Sequence, residues 1–239
     1  MVKLKYVCKM AIYRLDNRIW FPDPRTGEAN GLVAIGGDLS VPRLLLAYSN
    51  GFFPWYAFHQ IREPLWFCPM QRYVIFPDEI HVSHSMKQLL RQNRYEVTVN
   101  EDFEGVIHHC STAQNRNEDE GAWLGEDMIQ AYLRLYRLGV AYSVEVWEPS
   151  VDESGEKTRR LVGGLYGVTL HKSFFGESMF SLVPNASKVA LIYLARMLSR
   201  RKWNFIDCQF ETSLFRSMGG RHIPYEEYMR YLRESQGKI

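Results

Sequence analysis

Between Phe174 and Gln209 the chain reads strand, helix, strand, and that order constrains what it can fold into. Phe174-Phe175-Gly176-Glu177-Ser178-Met179-Phe180-Ser181 mixes bulky apolar residues with one carboxylate at strand length. From Asn185 or Ala186 to about Ser199, Leu191, Leu194, Ala195 and Leu198 recur at helical spacing. Phe205-Ile206-Asp207-Cys208-Gln209 then returns as a strand. A helix between two neighbouring strands makes them parallel, because parallel pairing needs a crossover that a tight turn cannot supply. The fold class is therefore α/β in the mixed, α+β sense.

The polar residues in these strands are the candidate chemistry. Period-2 alternation puts Phe175, Glu177 and Met179 on one face of the first strand and Phe174, Ser178 and Phe180 toward the other. In the second strand Asp207 and Gln209 are two apart and so point to one face. A lone Glu is more often an edge-strand residue facing water. Two neighbouring strands that offer Glu, Asp and Gln from an apolar floor resemble a site instead.

At 239 residues the chain can form a small N-terminal lobe, residues 1–69, and a larger domain, residues 70–239. In the lobe, Gly31 to Ile35 reads as a strand, Gly36-Gly37-Asp38 as a turn, and Ser40 as the N-cap of a helix with Pro42 in its first turn, stopped at Asn50-Gly51. The aromatics of Phe52-Phe53-Pro54-Trp55-Tyr56 and Leu65-Trp66-Phe67-Cys68-Pro69 are core rings one by one, but such a cluster can also stack a base. From Arg72 onward strands and helices alternate: a strand at Tyr73 to Phe76, a helix from Ser83 or Ser85 to Gln92, a strand at Tyr95 to Val99 and a helix capped by Asp102. A further helix carries Met128, Ala131, Tyr132, Leu135 and Leu138 and stops at Gly139. Strands at Tyr142 to Trp147 and Leu161 to Leu170 flank a charged excursion, Pro149 to Arg160, that reads as a surface hairpin insertion. Tyr225 to Glu234 is the last helix.

Composition mostly excludes. A net charge of +2 does not announce a nucleic-acid binder, so basic surface must be local. The four cysteines have no paired C-x-x-C spacing and read as reduced thiols in a cytoplasmic protein. No apolar run reaches the ~18 residues that span a bilayer, so no membrane is expected. His108-His109-Cys110 invites a metal, yet adjacent helical side chains diverge by about 100° and no other ligand pair lies nearby, so no metal is expected.

The succession of elements is that of GCN5-related N-acetyltransferase domains, an analogy of fold that does not give function. Such enzymes hold coenzyme A pyrophosphate on a Gly-rich loop at a helix N-terminus. Here Leu182 to Lys188 contains no glycine and includes Pro184, whose nitrogen cannot donate. Coenzyme A is not expected, and no other cofactor is.

Gly31-Leu32-Val33-Ala34-Ile35-Gly36-Gly37-Asp38-Leu39-Ser40, Gly51-Phe52-Phe53-Pro54-Trp55, Leu161-Val162-Gly163-Gly164-Leu165-Tyr166-Gly167, Gly176 to Ser181, Asn185-Ala186-Ser187-Lys188 and Ile206-Asp207-Cys208-Gln209 together resemble the leucyl/phenylalanyl-tRNA protein transferases. The resemblance runs from about Trp20 to Tyr231 and is specific because unrelated short motifs occur in one order. It implies transfer of Leu or Phe, and also Met, from aminoacyl-tRNA to the α-amine of proteins beginning with Arg or Lys, which marks them for degradation through the N-degron pathway. It implies Asp207 and Gln209 as the catalytic pair, with Glu177 in the same site. It also implies Leu165, Phe174, Met179, Leu191 and Ile206 as the side-chain pocket, and Trp55 and Trp123 against the terminal adenosine. For the tRNA backbone, Lys87, Arg91, Arg200, Arg201 and Lys202 are the basic residues concentrated on two helices. The partners implied are Leu-tRNA, Phe-tRNA and the acceptor protein. An N-acyltransferase using a small acyl thioester, and a tRNA- or peptide-binding module without turnover, are the competing readings.

Overall fold

The computed structural model describes residues 11–55, 63–112, 125–151 and 154–234. The chain divides into two compact units, Met1–Met70 and Gln71–Ile239.

Among its described residues the first unit is a four-stranded sheet in the order β1-β2-β4-β3 with one α-helix and a short 3-10 turn at Pro24–Thr26. Its elements are β1 (Tyr13–Leu15), β2 (Leu32–Gly36), α1 (Val41–Ser49), β3 (Phe53–Trp55) and β4 (Leu65–Phe67). β1 lies parallel to β2, while β2 and β3 flank β4 antiparallel, which makes the sheet mixed. Ser40 occupies the N-cap position of α1 but its side chain makes no capping bond there. The Asp38 carboxylate accepts from the Ser40 N–H at 2.8 Å instead. Pro42 sits in the first turn, where its missing N–H is no loss. Most rings of the aromatic cluster are core: Phe52, Phe53 and Trp66 are buried, and the Trp66 indole N–H donates to the Gly36 carbonyl at 2.8 Å.

The second unit contains β5 (Gln71–Ile75), α2 (His84–Arg91), β6 (Glu96–Val99), α3 (Phe103–Thr112), α4 (Glu126–Arg137), β7 (Ala141–Val151), β8 (Lys157–Leu170), β9 (Ser173–Ser181), α5 (Ala186–Arg200), β10 (Ile206–Gln209), α6 (Ser213–Ser217), β11 (Arg221–Pro224) and α7 (Tyr225–Glu234). Its seven strands form one sheet in the order β11-β5-β10-β9-β8-β7-β6. β9 and β10, joined through α5, are parallel, and β6 to β9 are antiparallel neighbours. The excursion read as an insertion is the outer half of the β7–β8 hairpin itself, paired through Val151 and Lys157. The β8–β9 turn places His171 and Lys172 at φ +50° and +53°, the left-handed pair of a type I′ turn, built without the usual Asn-Gly.

The core packs one face of this sheet against α5, whose Val189, Leu191, Ile192, Leu194 and Leu198 are buried with Val144, Val146, Val162 and Ile206. Each such side chain contributes roughly 1.5–3 kcal/mol when taken from water. Met86 of α2 joins the same core, and Gly163 of β8 allows the start of α5 to sit directly on the sheet, since a Cβ there would lie 2.4 Å from the Ala186 Cβ. Among the described residues no helix is long and apolar enough to cross a membrane.

Candidate active site

The site lies where β9 and β10 part. The two strands pair only at Ile206 with Phe174 and at Asp207 with Phe175. Past that point each is irregular. The β8–β9 register jumps between the Tyr166–Ser178 and Gly167–Gly176 pairs, which makes Glu177 the extra residue of a bulge, and the β10–β5 register jumps between Asp207 and Gln209, which makes Cys208 the extra residue of another. A bulge of this kind kinks a strand and re-aims its side chains. Gln209 stands at φ +64°, a left-handed conformation that costs a residue with a Cβ about 1–2 kcal/mol.

A cavity of about 200 Å³ opens there, lined by Leu165, Phe174, Met179, Leu191 and Ile206 together with Glu177, Asp207 and Gln209. Strict alternation puts Phe174 and Met179 on opposite faces of β9. Both nevertheless reach the cavity, because the extra residue of the bulge, Glu177, lies between them and resets the period.

Glu177 is 8% exposed, and its carboxylate accepts hydrogen bonds from both α4 and β10. The Tyr132 hydroxyl of α4 donates to Oε2 at 2.5 Å, and the Gln209 side-chain amide donates to Oε1 at 3.3 Å across the gap between the strands. Tyr132 was legible only as part of a helical apolar stripe. Its hydroxyl, at a buried position that required some partner, was the signal for a polar group under the helix.

Asp207 is arranged differently from the expectation that it shares a face and a task with Gln209. It is wholly buried, and the Arg72 guanidinium of β5 grips it through Nε at 2.9 and 3.0 Å and Nη2 at 2.8 Å. The Tyr228 hydroxyl of α7 donates to Oδ2 at 2.7 Å, and the Gln209 backbone N–H to Oδ1 at 2.8 Å. The carboxylate points to Arg72 and Tyr228 while the Gln209 amide points to Glu177. The register jump at Cys208 separates them. Burial, with the negative Asp207 beside it, pushes the Cys208 thiol well above its ordinary value. Arg72 and Tyr228 carried no sequence signal, since their partner lies far away along the chain.

Other expected residues fall elsewhere. Trp55 belongs to the first unit, at the end of β3, and is 37% exposed. Trp123 lies outside the described residues. Lys87 and Arg91 on α2, and Arg200, Arg201 and Lys202 at the end of α5, are exposed. They form no ion pair among the described residues, whereas Arg14, Arg94, Arg159, Arg216 and Arg221 all hold carboxylates. The N–H of Ser187 in the first turn of α5 donates to the Ser181 hydroxyl at 2.8 Å. His109 stacks on Phe180 at 4.7 Å, and among the described residues no group of three His, Cys, Asp or Glu could hold a metal ion.

The family profile described as leucyl/phenylalanyl-tRNA protein transferase matches residues 74–233, and the profile described as its N-terminal domain matches residues 37–70. A leucyl/phenylalanyl-tRNA--protein transferase of Syntrophus aciditrophicus is 47% identical over 227 residues, 95% of this chain and 90% of that one. One from Flavobacterium psychrophilum is 43% identical over 220 residues, 92% of this chain and 99% of that one. Among solved structures, that of L-PGS from Bacillus licheniformis aligns at a TM-score of 0.42 with 11% identity, over 87% of this chain and 74% of that chain.

Proposed function

The chain belongs to the leucyl/phenylalanyl-tRNA protein transferase family, aminoacyltransferases that move Leu or Phe from aminoacyl-tRNA to protein N-termini, and from that premise we propose how this molecule does so. Residues 70–239 are a GCN5-like transferase domain, a reading supported by the parallel β9–α5–β10 crossover and the bulge in β9. Residues 1–69 form the N-terminal lobe, in which Trp55 ends β3. The transferred side chain occupies the cavity walled by Leu165, Phe174, Met179, Leu191 and Ile206. Trp55 and Trp123 stack the terminal adenosine.

The observation that carries this reading is the bridge from Gln209 to Glu177 at the mouth of the parted strands, beside an apolar cavity of amino-acid size. Aminolysis of an ester forms the peptide C–N bond, breaks the bond to the tRNA 3′ oxygen and moves one proton from nitrogen to that oxygen. The ester is already activated. With an α-amine pKa near ~8, freeing the amine at pH 7 costs only ~1 kcal/mol, while orientation can supply roughly 7–11 kcal/mol. Glu177 attracts the acceptor's ammonium group and takes its proton, and the Gln209 amide oxygen accepts from the attacking amine. Asp207 holds Gln209 in place.

The acceptor is a protein beginning with Arg or Lys, whose new N-terminal Leu or Phe is the N-degron, and the reaction runs in the cytoplasm without coenzyme A. The occupied first-turn amide at Ser187 supports the last point. The exposed cations Lys87, Arg91, Arg200, Arg201 and Lys202 lie along the tRNA phosphates. The test is transfer of labelled Phe from Phe-tRNA to an Arg-terminated peptide, with phenylacetyl-CoA as an alternative donor. Product from the tRNA alone is expected, falling more than tenfold in Gln209→Ala and in Glu177→Gln. Wild-type turnover in both variants removes this site from the mechanism.

A further inference from the structure

The buried carboxylate of Asp207 has four donors around it: Nε–H and Nη2–H of Arg72, the Tyr228 hydroxyl and the Gln209 backbone N–H. An ionised carboxylate offers about four acceptor positions, so none is left for a substrate proton. What the fourth donor does is specific. It is the amide of the residue at φ +64°, on the far side of the Cys208 bulge, whose side chain bridges to Glu177.

We propose that Arg72 and Tyr228 are positioning residues for peptide-bond formation, acting through Asp207 to lock the left-handed backbone of Gln209. The inference rests on Glu177 and Gln209 as the reaction centre. Three elements meet at this carboxylate: β5 brings Arg72, β10 brings Asp207 and α7 brings Tyr228. Tyr228 is itself fixed, stacked on Phe205 at 5.0 Å with the Arg72 guanidinium 5.0 Å from its ring centroid. The bidentate grip admits one orientation of the carboxylate plane, which a Lys ammonium on a flexible stem would not. Orientation of that plane decides where Oδ1 meets the Gln209 N–H, and so where the Gln209 amide points.

The variants are Tyr228→Phe, Arg72→Lys and the apolar pair Arg72→Met/Asp207→Leu, assayed with Phe-tRNA and an Arg-terminated peptide across pH 6–9, with melting temperature measured alongside. Tyr228→Phe is expected to lower kcat about five- to tenfold and Arg72→Lys about thirtyfold, with KM for both substrates unmoved and no displacement of the pH–rate profile. The apolar pair, which buries no unpaired charge, keeps the melting temperature but not the turnover. A displaced limb in Tyr228→Phe would make Asp207 a titrating participant and overturn the proposal. So would wild-type kcat in both single variants, or turnover recovered with stability in the apolar pair. Gln209→Ala and Glu177→Gln separate the two levels: if they lose turnover while the Arg72 and Tyr228 variants keep it, only the clamp fails. If they keep it, the reaction centre fails and the clamp with it.

Discussion

Each of the two compact units is built over an arginine that water does not reach, and the two are satisfied in different ways. Arg43 of α1 is 0% exposed and Arg72 of β5 is 1% exposed. Arg43 donates through Nη2 to the carbonyls of Asp16 at 2.7 Å and Arg18 at 3.0 Å, with the half-exposed Asp38 carboxylate at 3.4 Å. Its Nε and Nη1 have no hydrogen-bond partner among the described residues. Gly37, at φ +76°, lies close against the guanidinium, where a Cβ would stand 2.9 Å from Cζ. Arg72 instead has a carboxylate in its fork. A guanidinium bound to backbone carbonyls ties one stretch of chain to another and ends its influence there. One that grips a carboxylate fixes a side chain that can hold something further.

The largest effect comes from removing each cation in turn. Arg72→Met leaves Asp207 buried without its counter-ion, a loss of about 3–5 kcal/mol, and turnover should fall about a hundredfold as Gln209 loses its anchor. Arg43→Met takes a donor from the carbonyls of Asp16 and Arg18, residues that are exposed to water, so the loss should be smaller than that of a buried carboxylate stripped of its counter-ion. Its kcat should stay within about twofold of wild type. Urea unfolding and single-turnover transfer, measured below the melting temperature of both variants, decide the matter. If Arg43→Met loses as much turnover as Arg72→Met, the two arginines do one kind of work and the contrast is false.

This contrast also marks how far the sequence was legible. The βαβ unit, the last helix at Tyr225–Glu234 and the apolar stripe of α5 follow from periodicity, because local spacing decides them. The order of the large sheet does not follow. β5, first in the unit, is inserted between β11 and β10, a non-local pairing that no local pattern encodes. Within the site, Glu177, Asp207 and Gln209 were visible as polar residues in apolar strands. Alternation puts Asp207 and Gln209 on one face, whereas the bulge at Cys208 turns their side chains to different partners, because a bulge inserts one residue into a period of two and leaves no fixed signature. Arg72 reads only as the point from which strands and helices alternate, and Tyr228 as a helix residue. Their meeting at Asp207 is a contact across 135 and 21 residues.

A smaller effect sharpens the comparison within the first unit. Trp66 and Trp55 lie on adjacent strands there, yet Trp66 is fully buried while Trp55 is 37% exposed at a strand end. A base stacked on an aromatic ring is worth about 1–3 kcal/mol. Trp55→Ala should therefore raise KM for aminoacyl-tRNA roughly 5- to 150-fold and move the melting temperature by less than Trp66→Ala does. Unchanged KM, with a large loss of stability, would return Trp55 to the core and leave the adenosine without its platform in this unit.

The smallest effect concerns the cavity of the second unit, where the proposed function puts selectivity rather than rate at stake. Its apolar walls can sort donors only by filling, and each missing methylene is worth roughly 1–3 kcal/mol. Leu, Phe and Met fit such a space, the β-branch of Val and Ile crowds it, and Ala leaves it empty. Met179 is only partly buried and reaches the wall after the Glu177 bulge, so Met179→Ala widens the cavity at an edge rather than opening a sealed void in the core. The ring of Phe is large enough to reach the remaining walls at Leu165, Leu191 and Ile206. The isobutyl group of Leu is not. Competition between Leu-tRNA and Phe-tRNA for one Arg-terminated peptide should therefore shift about three- to tenfold toward Phe in the variant, with kcat for Phe nearly unchanged because Gln209 and its anchor are untouched. A Leu:Phe ratio that stays at the wild-type value would mean that the transferred side chain does not contact Met179, and the donor would have to lie along β10 instead of β9.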